Sequence, residues 1–392
     1  MFKEIIMIKT RCWGIPLCLA LTSLGHAEGL LAIDNPAKID QVTKVYAVVD
    51  AFEANDQVAM REYGASWQGN YTPRSGTNIG LLAARAEAGV QWNGYRFGAL
   101  YRAEALVEAN RDTADVVQQY STQSGYNIGR TYALDYRIKG FEANGARVSK
   151  SMAFVTGSPW QVQVGAGLSY LRGTRLKIET VTGQIVTLNT KDFGAAAGRN
   201  MTDSTLNVSD LAQFNAPAGR MAAPSGSGYA LDFGVVARHP DSGITLELAV
   251  ADLLGRIEWT DVPNNVTAYN NATKYYDANG YAQFNALTTR TSNYQTISQQ
   301  LDPKIRLAVS YPVGHFQLQG AADYTQGYWF PQLAVTYPFS PRWLLKADVD
   351  LRFQTVGLML QHPWLYVGFR TDALDAGAAK AYGLTAGVHF SF

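Results

Sequence analysis

The last ninety residues alternate between apolar positions and polar or small positions with a period of two. A β-strand places successive side chains on opposite faces, so this alternation predicts strands that each carry one apolar face. Short segments with Pro, Gly or Ser separate the runs, which is typical of antiparallel hairpins. The predicted apolar faces are Ile305-Leu307-Val309-Tyr311, Phe316-Leu318-Gly320-Ala322-Tyr324, Leu333-Val335-Tyr337, Leu345-Ala347-Val349-Leu351, Val356-Leu358-Leu360 and Leu365-Val367-Phe369.

The same pattern continues upstream, and its clearest example is a hairpin around Asn93-Gly94. Apolar residues from Leu82 to Trp92 and from Tyr95 to Val107 alternate with charged or small residues, and Asn-Gly suits a two-residue turn. A further alternating run, Tyr132-Leu134-Tyr136-Ile138, predicts another apolar face. Additional strands are expected near 59–71, 160–170, 184–189, 229–237 and 244–250, with turns at Asn144-Gly145, Thr182-Gly183 and His239 to Gly243.

Three polar stretches predict long loops at 109–128, 192–226 and 261–302. In an outer-membrane barrel the strands alternate in direction, and the long loops lie on the outside. Counting back from a last strand that runs towards the periplasm puts all three stretches outside. The count leaves two alternatives: a barrel of about 16 strands, or one of 14 if a hairpin between residues 144 and 192 has been counted in error.

Residues 28–58 also have two interpretations, a plug or a first strand. Val45, Ala47 and Val49 alternate as in a strand, whereas Ile39, Val42, Tyr46, Val49 and Phe52 fit the stripe of an amphipathic helix. In the 16-strand count this segment lies outside the strand alternation. We then expect it to lie in or under the barrel and to narrow it.

Composition favours a membrane barrel over a soluble β-sandwich. Only 17% of the residues are charged, and the chain has 22 Tyr and 8 Trp. Aromatic residues gather where predicted strands end, as in Tyr328-Trp329-Phe330, Trp343 and Trp364, and such positions correspond to the two membrane interfaces. The sequence therefore predicts an all-β fold: a transmembrane antiparallel β-barrel of about 14–16 strands, with long extracellular loops, formed by residues 59–392.

Residues 1–27 have the pattern of an export signal. Lys9 and Arg11 precede an apolar run from Ile15 to Leu24, and Gly25-His26-Ala27 supplies small residues for signal peptidase, with Glu28 as the expected first mature residue. The two cysteines, Cys12 and Cys18, lie inside this segment. A lipoprotein interpretation of Cys18 is the alternative. With cleavage before Glu28, the mature chain has no cysteine, and therefore no disulfide, thiol nucleophile or thiolate metal site.

The final strand resembles the C-terminal strand of Gram-negative outer-membrane proteins. In that class, alternating apolar residues and a terminal aromatic residue form the signal read by the barrel-assembly machinery. The matching residues are Tyr382, Leu384, Ala386, Val388, Phe390 and Phe392. In size and architecture the chain also resembles the FadL-like barrels, including TraF-type conjugation barrels, and the triplet Asn35-Pro36-Ala37 is the local match. The resemblance implies a channel for hydrophobic molecules in the outer membrane.

Charges of both signs lie opposite the apolar faces and are expected to line a water-filled lumen. Rows of charged side chains of this kind either set the electrostatics of a pore or hold the barrel wall together through ion pairs. The mixture of signs argues against a strongly ion-selective pore. The candidates are Arg85, Glu87, Arg96, Arg102, Glu104, Asp135, Arg137, Lys139, Arg306, Asp323, Lys346, Asp348, Asp350 and Arg352.

No catalytic or cofactor motif stands out, so we expect no enzyme activity, no cofactor and no metal. The predicted function is passive transport of small, hydrophobic or amphipathic molecules. The alternative is a non-transporting barrel that anchors or helps to assemble a secretion, conjugation or surface-polymer system. The expected partners are outer-membrane lipid, lipopolysaccharide, the barrel-assembly machinery and a small-molecule ligand. A net charge of +1 gives no argument for nucleic acid.

Overall fold

A computed structural model describes residues 27–63, 67–124, 127–155, 159–188, 193–206, 224–270, 274–276, 278–279, 282–284 and 288–392. The predicted export signal lies outside these residues, apart from Ala27. Within the described ranges, no helix has the length and hydropathy needed to cross a membrane.

The N-terminal part consists of two short strands and a 3-10 helix before the first long strand. These elements are β1 (Ala27–Glu28), β2 (Ile33–Asp34), the 3-10 helix (Pro36–Lys38) and β3 (Lys44–Asn55). A one-turn helix, α1 (Met60–Tyr63), follows in place of the strand predicted near 59–71. The first hairpin is confirmed: β4 (Asn78–Trp92) and β5 (Tyr95–Ala109) are joined at Asn93-Gly94, both in the left-handed conformation that this turn requires.

The middle of the chain differs most from the prediction. It contains α2 (Arg111–Thr122), β6 (Thr131–Val155), β7 (Gln161–Thr187), β8 (Phe193–Asp203), β9 (Ser225–Arg238), β10 (Thr245–Asn270), β11 (Lys274–Tyr276), β12 (Ala282–Phe284) and β13 (Thr288–Gln300). The turns predicted at Asn144-Gly145 and Thr182-Gly183 are wrong, because these residues lie inside β6 and β7. Both strands continue through these residues and stay hydrogen-bonded to their neighbours, so strand pairing overrides the local turn preference.

The C-terminal strands match the predicted series. They are β14 (Lys304–Val313), β15 (Phe316–Thr325), β16 (Tyr328–Ser340), β17 (Trp343–Asp350), β18 (Thr355–His362), β19 (Leu365–Thr371) and β20 (Ala381–Ser391). Short turns join β14 to β15, β16 to β17 and β18 to β19, as expected.

These strands close into one antiparallel barrel. Each strand from β14 to β20 pairs with the next, and β20 pairs with β3 along eleven residue pairs from Ala381–Ala54 to Ser391–Lys44. Two positions in the wall are shared by consecutive strands: β8 and β9 both pair with β7 and β10, and β13 and β14 both pair with β10. The sixteen-stranded sheet therefore has 14 positions around the barrel, which confirms the predicted fold class.

The outer surface of the wall is apolar, as a lipid-facing surface must be. Leu168, Leu307, Leu333, Leu358 and Phe369 are each between 45% and 57% exposed and face outwards. The faces predicted for β14 to β20 are thus correct. We call the end with the short turns and Phe392 the periplasmic end, and the opposite end the extracellular end, following the usual asymmetry of turn lengths.

One side of the barrel rises far above the rest at the extracellular end. β6, β7 and β10 have 25, 27 and 26 residues, against seven to thirteen for β14 to β20. The outer face of this raised sheet is covered. Tyr132, Leu134, Tyr136 and Ile138, predicted to face lipid, pack instead in a cluster with Val116 of α2. The stretches predicted as long loops are therefore partly helix and strand.

Candidate functional site

The lumen holds the N-terminal segment of the chain, residues 27–43, which we call the plug. Leu30, Leu31 and Ile33 are at most 2% exposed, and they pack with inward-facing residues such as Phe52 of β3 and Phe330 of β16. The backbone nitrogen of Leu30 donates to Asp323 Oδ2 at 2.9 Å. The strand that follows, β3, belongs to the wall. Residues Lys44–Asn55 are thus a strand and not part of the amphipathic helix that the second pattern allowed.

The Asn35-Pro36-Ala37 turn fixes the plug to the wall. Asn35 Oδ1 accepts from the Ala37 nitrogen at 2.9 Å and so caps the 3-10 helix. Pro36 suits the first position of this helix, because a backbone N–H there would have no partner within the helix. The other end of the Asn35 amide donates to Glu247 Oε1 at 3.1 Å. Lys38 Nζ lies 2.8 Å from the second Glu247 oxygen.

Glycines on the inner face of β7 and β9 make room for this turn. A Cβ atom at Gly165 would lie 2.3 Å from the Pro36 carbonyl carbon, and one at Gly234 would lie 1.8 Å from Asn35 Oδ1. Both distances are far shorter than any van der Waals contact. Close approach of the plug to the wall therefore requires glycine at these two positions.

A network of buried charges surrounds Asp34, the residue before the turn. Asp34 accepts from Arg96 at 3.0 Å and from Arg147, and Arg85 Nη2 lies 3.6 Å away. Glu87 pairs with Arg85 and Arg96, and Asp232 lies 2.8 Å from Arg147. The side chains of the six residues are at most 9% exposed. Buried charges are tolerated only when they are paired, so the plug carboxylate is one of the groups that balance the three arginines.

A second network lies further towards the extracellular end, next to an irregular part of β10. Arg102 donates to Asp252 at 2.6 Å, and Lys304 Nζ lies 2.5 Å from Glu104 and 3.1 Å from Asp252. Two register shifts interrupt the pairing of β10 with β9 between Val250 and Arg256. Asp252 has a φ of 62° and is completely buried, so the chain turns inwards at this bulge.

Space remains in the lumen around the plug. One cavity of about 70 Å³ lies between the plug and the wall from β15 to β20 and β3. A cavity of about 40 Å³ borders Leu31, Lys139 and Asp302, and one of about 20 Å³ borders Ala32, Arg102 and Lys304. These cavities have apolar and polar lining residues.

Most of the predicted lumen residues face the inside of the barrel. Arg85, Glu87, Arg96, Arg102 and Glu104 belong to the two networks, and Lys139 pairs with Asp302 at 2.5 Å. Arg306 pairs with Asp323 at 2.6 Å, and Lys346 and Asp348 line the 70 Å³ cavity. Asp350 is 1% exposed and accepts from the Phe353 nitrogen at 2.7 Å, and Arg352 binds Asp56 at 2.6 Å near the extracellular mouth.

Two predicted residues lie elsewhere. The Asp135 and Arg137 side chains are 49% and 60% exposed, and they lie on the raised part of β6, above the lumen rather than in it. Sequence reasoning also missed several lumen charges: Asp34, Asp50, Arg147, Asp232, Glu247, Asp252 and Arg370. Arg147 could have been found, since it alternates with Ser149 and Ser151 on the inner face of β6.

Residues of the predicted assembly signal lie in or directly after β20, the strand that closes the barrel. Tyr382 and Phe390 are 40% and 49% exposed and face outwards with Leu384, Ala386 and Val388. The Phe392 nitrogen donates to the Thr43 carbonyl at 3.2 Å.

Together these features define a closed transmembrane β-barrel with a lumen that is plugged by its own N-terminal segment. A family model described as a family of unknown function (DUF5723) matches residues 69–369, more than half of the chain. The protein therefore belongs to this family. No curated protein matches the chain.

The structure is similar to several solved outer-membrane channels. One is the TodX ΔS2S3 mutant monoaromatic hydrocarbon channel, with a TM-score of 0.45, 10% identity, and coverage of 91% of this chain and 92% of that one. Others are the P. putida toluene transporter TodX (TM-score 0.39, 10% identity, 92% of each chain) and a Pseudomonas aeruginosa FadL homologue (TM-score 0.36, 11% identity, 92% and 91%). Because these three TM-scores are all below 0.5, the assignment of the β-barrel fold rests on the strand pairing of this chain.

Proposed function

We propose that this protein is an outer-membrane channel that passes small hydrophobic or amphipathic molecules, with the plug as its gate. The observation that carries the proposal is the independence of wall and plug. The wall closes through β20 and β3, so the barrel is complete without residues 27–43. A barrel of this width encloses a lumen that must be filled or conduct.

The contacts of the plug are compatible with its release. Around Asp34, Asn35 and Lys38 the plug meets the wall through ion pairs and hydrogen bonds. Water can replace these polar partners when the plug leaves, whereas the contacts of Leu30, Leu31 and Ile33 with apolar wall residues oppose its release. Movement of the plug would then change the width of the lumen without disturbing the strand pairing.

The irregular part of β10 supports the proposal that the transported molecule is hydrophobic. Leu253 and Leu254 are 44% and 67% exposed at this bulge, whereas Asp252 between the same register shifts points into the lumen. A break in wall pairing that joins the apolar surface to the lumen offers apolar molecules a route sideways into the membrane. The cavity that borders Arg102 and Lys304 lies against this break.

Deletion of residues 29–42 tests the proposal. The deletion ends before Lys44, because β3 must stay in the wall. We expect the variant to fold, as shown by a shift in gel mobility on heating, and to have a higher single-channel conductance in a planar bilayer than the full-length chain. A folded variant with unchanged conductance would contradict the gate.

One observation favours the alternative, a barrel that serves as an anchor or assembly partner. Among the described strands β13 pairs only with β10, so one edge of the raised sheet is open over Thr288–Gln300. Open edges can accept a strand from a partner. If the plug deletion does not conduct, this edge becomes the main functional surface of the barrel.

A further inference from the structure

The 70 Å³ cavity beside the plug has a wall with several inward-facing glycines. Gly357, Gly368 and Gly383, on three adjacent strands, line this space. Gly29 and Leu30 of the plug close the opposite side. The cavity is therefore shaped by residues of both components.

The strand register places two opposite charges at different sides of this cavity. Arg370 of β19 pairs with Gly383 of β20, which pairs with Phe52 of β3; Asp50 lies two residues before Phe52. One strand separates the two charged residues. Two spacings of about 4.8 Å and an offset of two residues, about 6.6 Å, put their backbones roughly 12 Å apart. The two side chains do not form an ion pair with each other.

Each of these two residues has hydrogen-bonding capacity that no described protein group uses. Asp50 is 6% exposed; its Oδ1 accepts from the Thr385 hydroxyl, and its Oδ2 has no partner within the described part of the chain. Arg370 binds Asp348 through Nη2, and its Nη1 is buried and likewise unpartnered there. Buried polar groups are nearly always satisfied, so these two atoms indicate a polar occupant.

We propose that this cavity binds a small zwitterion, with its cationic group at Asp50 and its anionic group at Arg370. The cavity of about 70 Å³ has room for only a few water-sized groups, each of which needs about 10–15 Å³. The two charges of the ligand must therefore be close together. The inference rests on the proposed function, since it identifies this zwitterion as the polar end of the molecule that passes.

Alanine is a suitable probe, because it has six non-hydrogen atoms and both charges. Its binding to the purified full chain in detergent can be measured by saturation-transfer NMR, together with propionate, which lacks the ammonium group, and ethylamine, which lacks the carboxylate. We expect alanine to bind at least tenfold more tightly than either analogue. Failure of alanine to bind, or equal binding of propionate, would overturn the proposal.

Variants assign the two ends of the ligand. Asp50→Asn and Arg370→Gln should each weaken alanine binding at least tenfold, as expected for the loss of a hydrogen bond to a charged group. Asp50→Asn should leave propionate binding unchanged, and Arg370→Gln should leave ethylamine binding unchanged. The matched controls are Glu142→Gln and Arg175→Gln, a pair on the outer face of β6 and β7 that should leave alanine binding unchanged.

A steric variant keeps the proposal testable if a charge variant fails to fold. A Cβ at Gly383 would lie 3.1 Å from Phe52 Cδ2, 3.2 Å from the Ala51 carbonyl oxygen and 3.8 Å from Arg370 Cβ, so Gly383→Ala narrows the cavity and shifts its neighbours by only a few tenths of an ångström. It should weaken alanine binding about tenfold, and full binding would refute the site. This assay needs no passage of ligand. Conductance after plug deletion without alanine binding would reject only the zwitterion site, whereas binding without conductance would reject only the channel.

Discussion

Gly165→Ala should open the gate without weakening the barrel. The added Cβ would lie 2.3 Å from the Pro36 carbonyl carbon and 2.4 Å from the Ala37 nitrogen, and both atoms are backbone. The plug must therefore move away from β7. The strand itself gains, because alanine is favoured over glycine in a strand interior by about 0.5–1 kcal/mol.

The size of the effect follows from the contacts that the moving turn loses. Asn35 donates to Glu247 at 3.1 Å, and Lys38 pairs with the same carboxylate at 2.8 Å. A hydrogen bond to a charged group contributes about 1.5–3 kcal/mol. Loss of the Asn35 bond alone should raise the open population roughly 10-fold to 150-fold, at tenfold per 1.4 kcal/mol.

Single-channel recording in a planar bilayer measures this shift as a higher open probability. Gly320→Ala is the matched control. Gly320 is a wall glycine that faces outwards, and its Cβ would meet only Val309 and Leu333 at 3.8 and 3.9 Å. The reasoning is refuted if Gly165→Ala folds and yet conducts like the control.

Three further predictions follow from the plug, the wall and the export signal. Asp34→Asn removes the carboxylate of the plug that pairs with three arginines and should destabilise the plugged state by about 3–5 kcal/mol. Limited proteolysis should then cut the plug faster. Unchanged cleavage would show that the charge network does not hold the plug in place. Val335→Arg places a charge on the outer face of β16 and should lower the free energy of unfolding by about 2–4 kcal/mol if it lies near the bilayer midplane. Thr336→Arg, at the same depth but facing inwards, should lower it much less. Equal shifts in urea unfolding would show that the faces are misassigned. Mature protein should begin at Glu28 by N-terminal sequencing, and a lipid-modified Cys18 would contradict this.

The alternation of the sequence predicted the wall because lipid and lumen impose opposite chemistry on neighbouring residues. Leu333 and Leu358 face out and Gln332 and Asp348 face in, and a period of two captures this directly. The raised sheet follows a different rule. Tyr132 and Tyr136 keep the same alternation, but a helix covers them instead of lipid, and local sequence does not show which solvent a face meets.

Turn signals failed for a related reason. Asn144-Gly145 resembles a hairpin turn, yet Gly145 pairs with Leu100 and Leu171 in the middle of β6. A Cβ at Gly145 would lie 2.0 Å from the Tyr170 carbonyl oxygen, so close strand approach is the reason for this glycine. The role of Asp34 was missed because its ion-pair partners lie 51 to 113 residues further along the chain, and no local sequence pattern links them to it.

The connection between plug and wall is short. The Ile39 carbonyl accepts from Gln163 at 2.9 Å, and Lys44 begins the wall, so four residues join these two points. Fully extended, they span about 14 Å. A released plug therefore stays within this distance of its own binding site, at an effective concentration of at least the order of millimolar. Reclosure should then be fast and independent of protein concentration, and the channel should open in brief events rather than lasting ones.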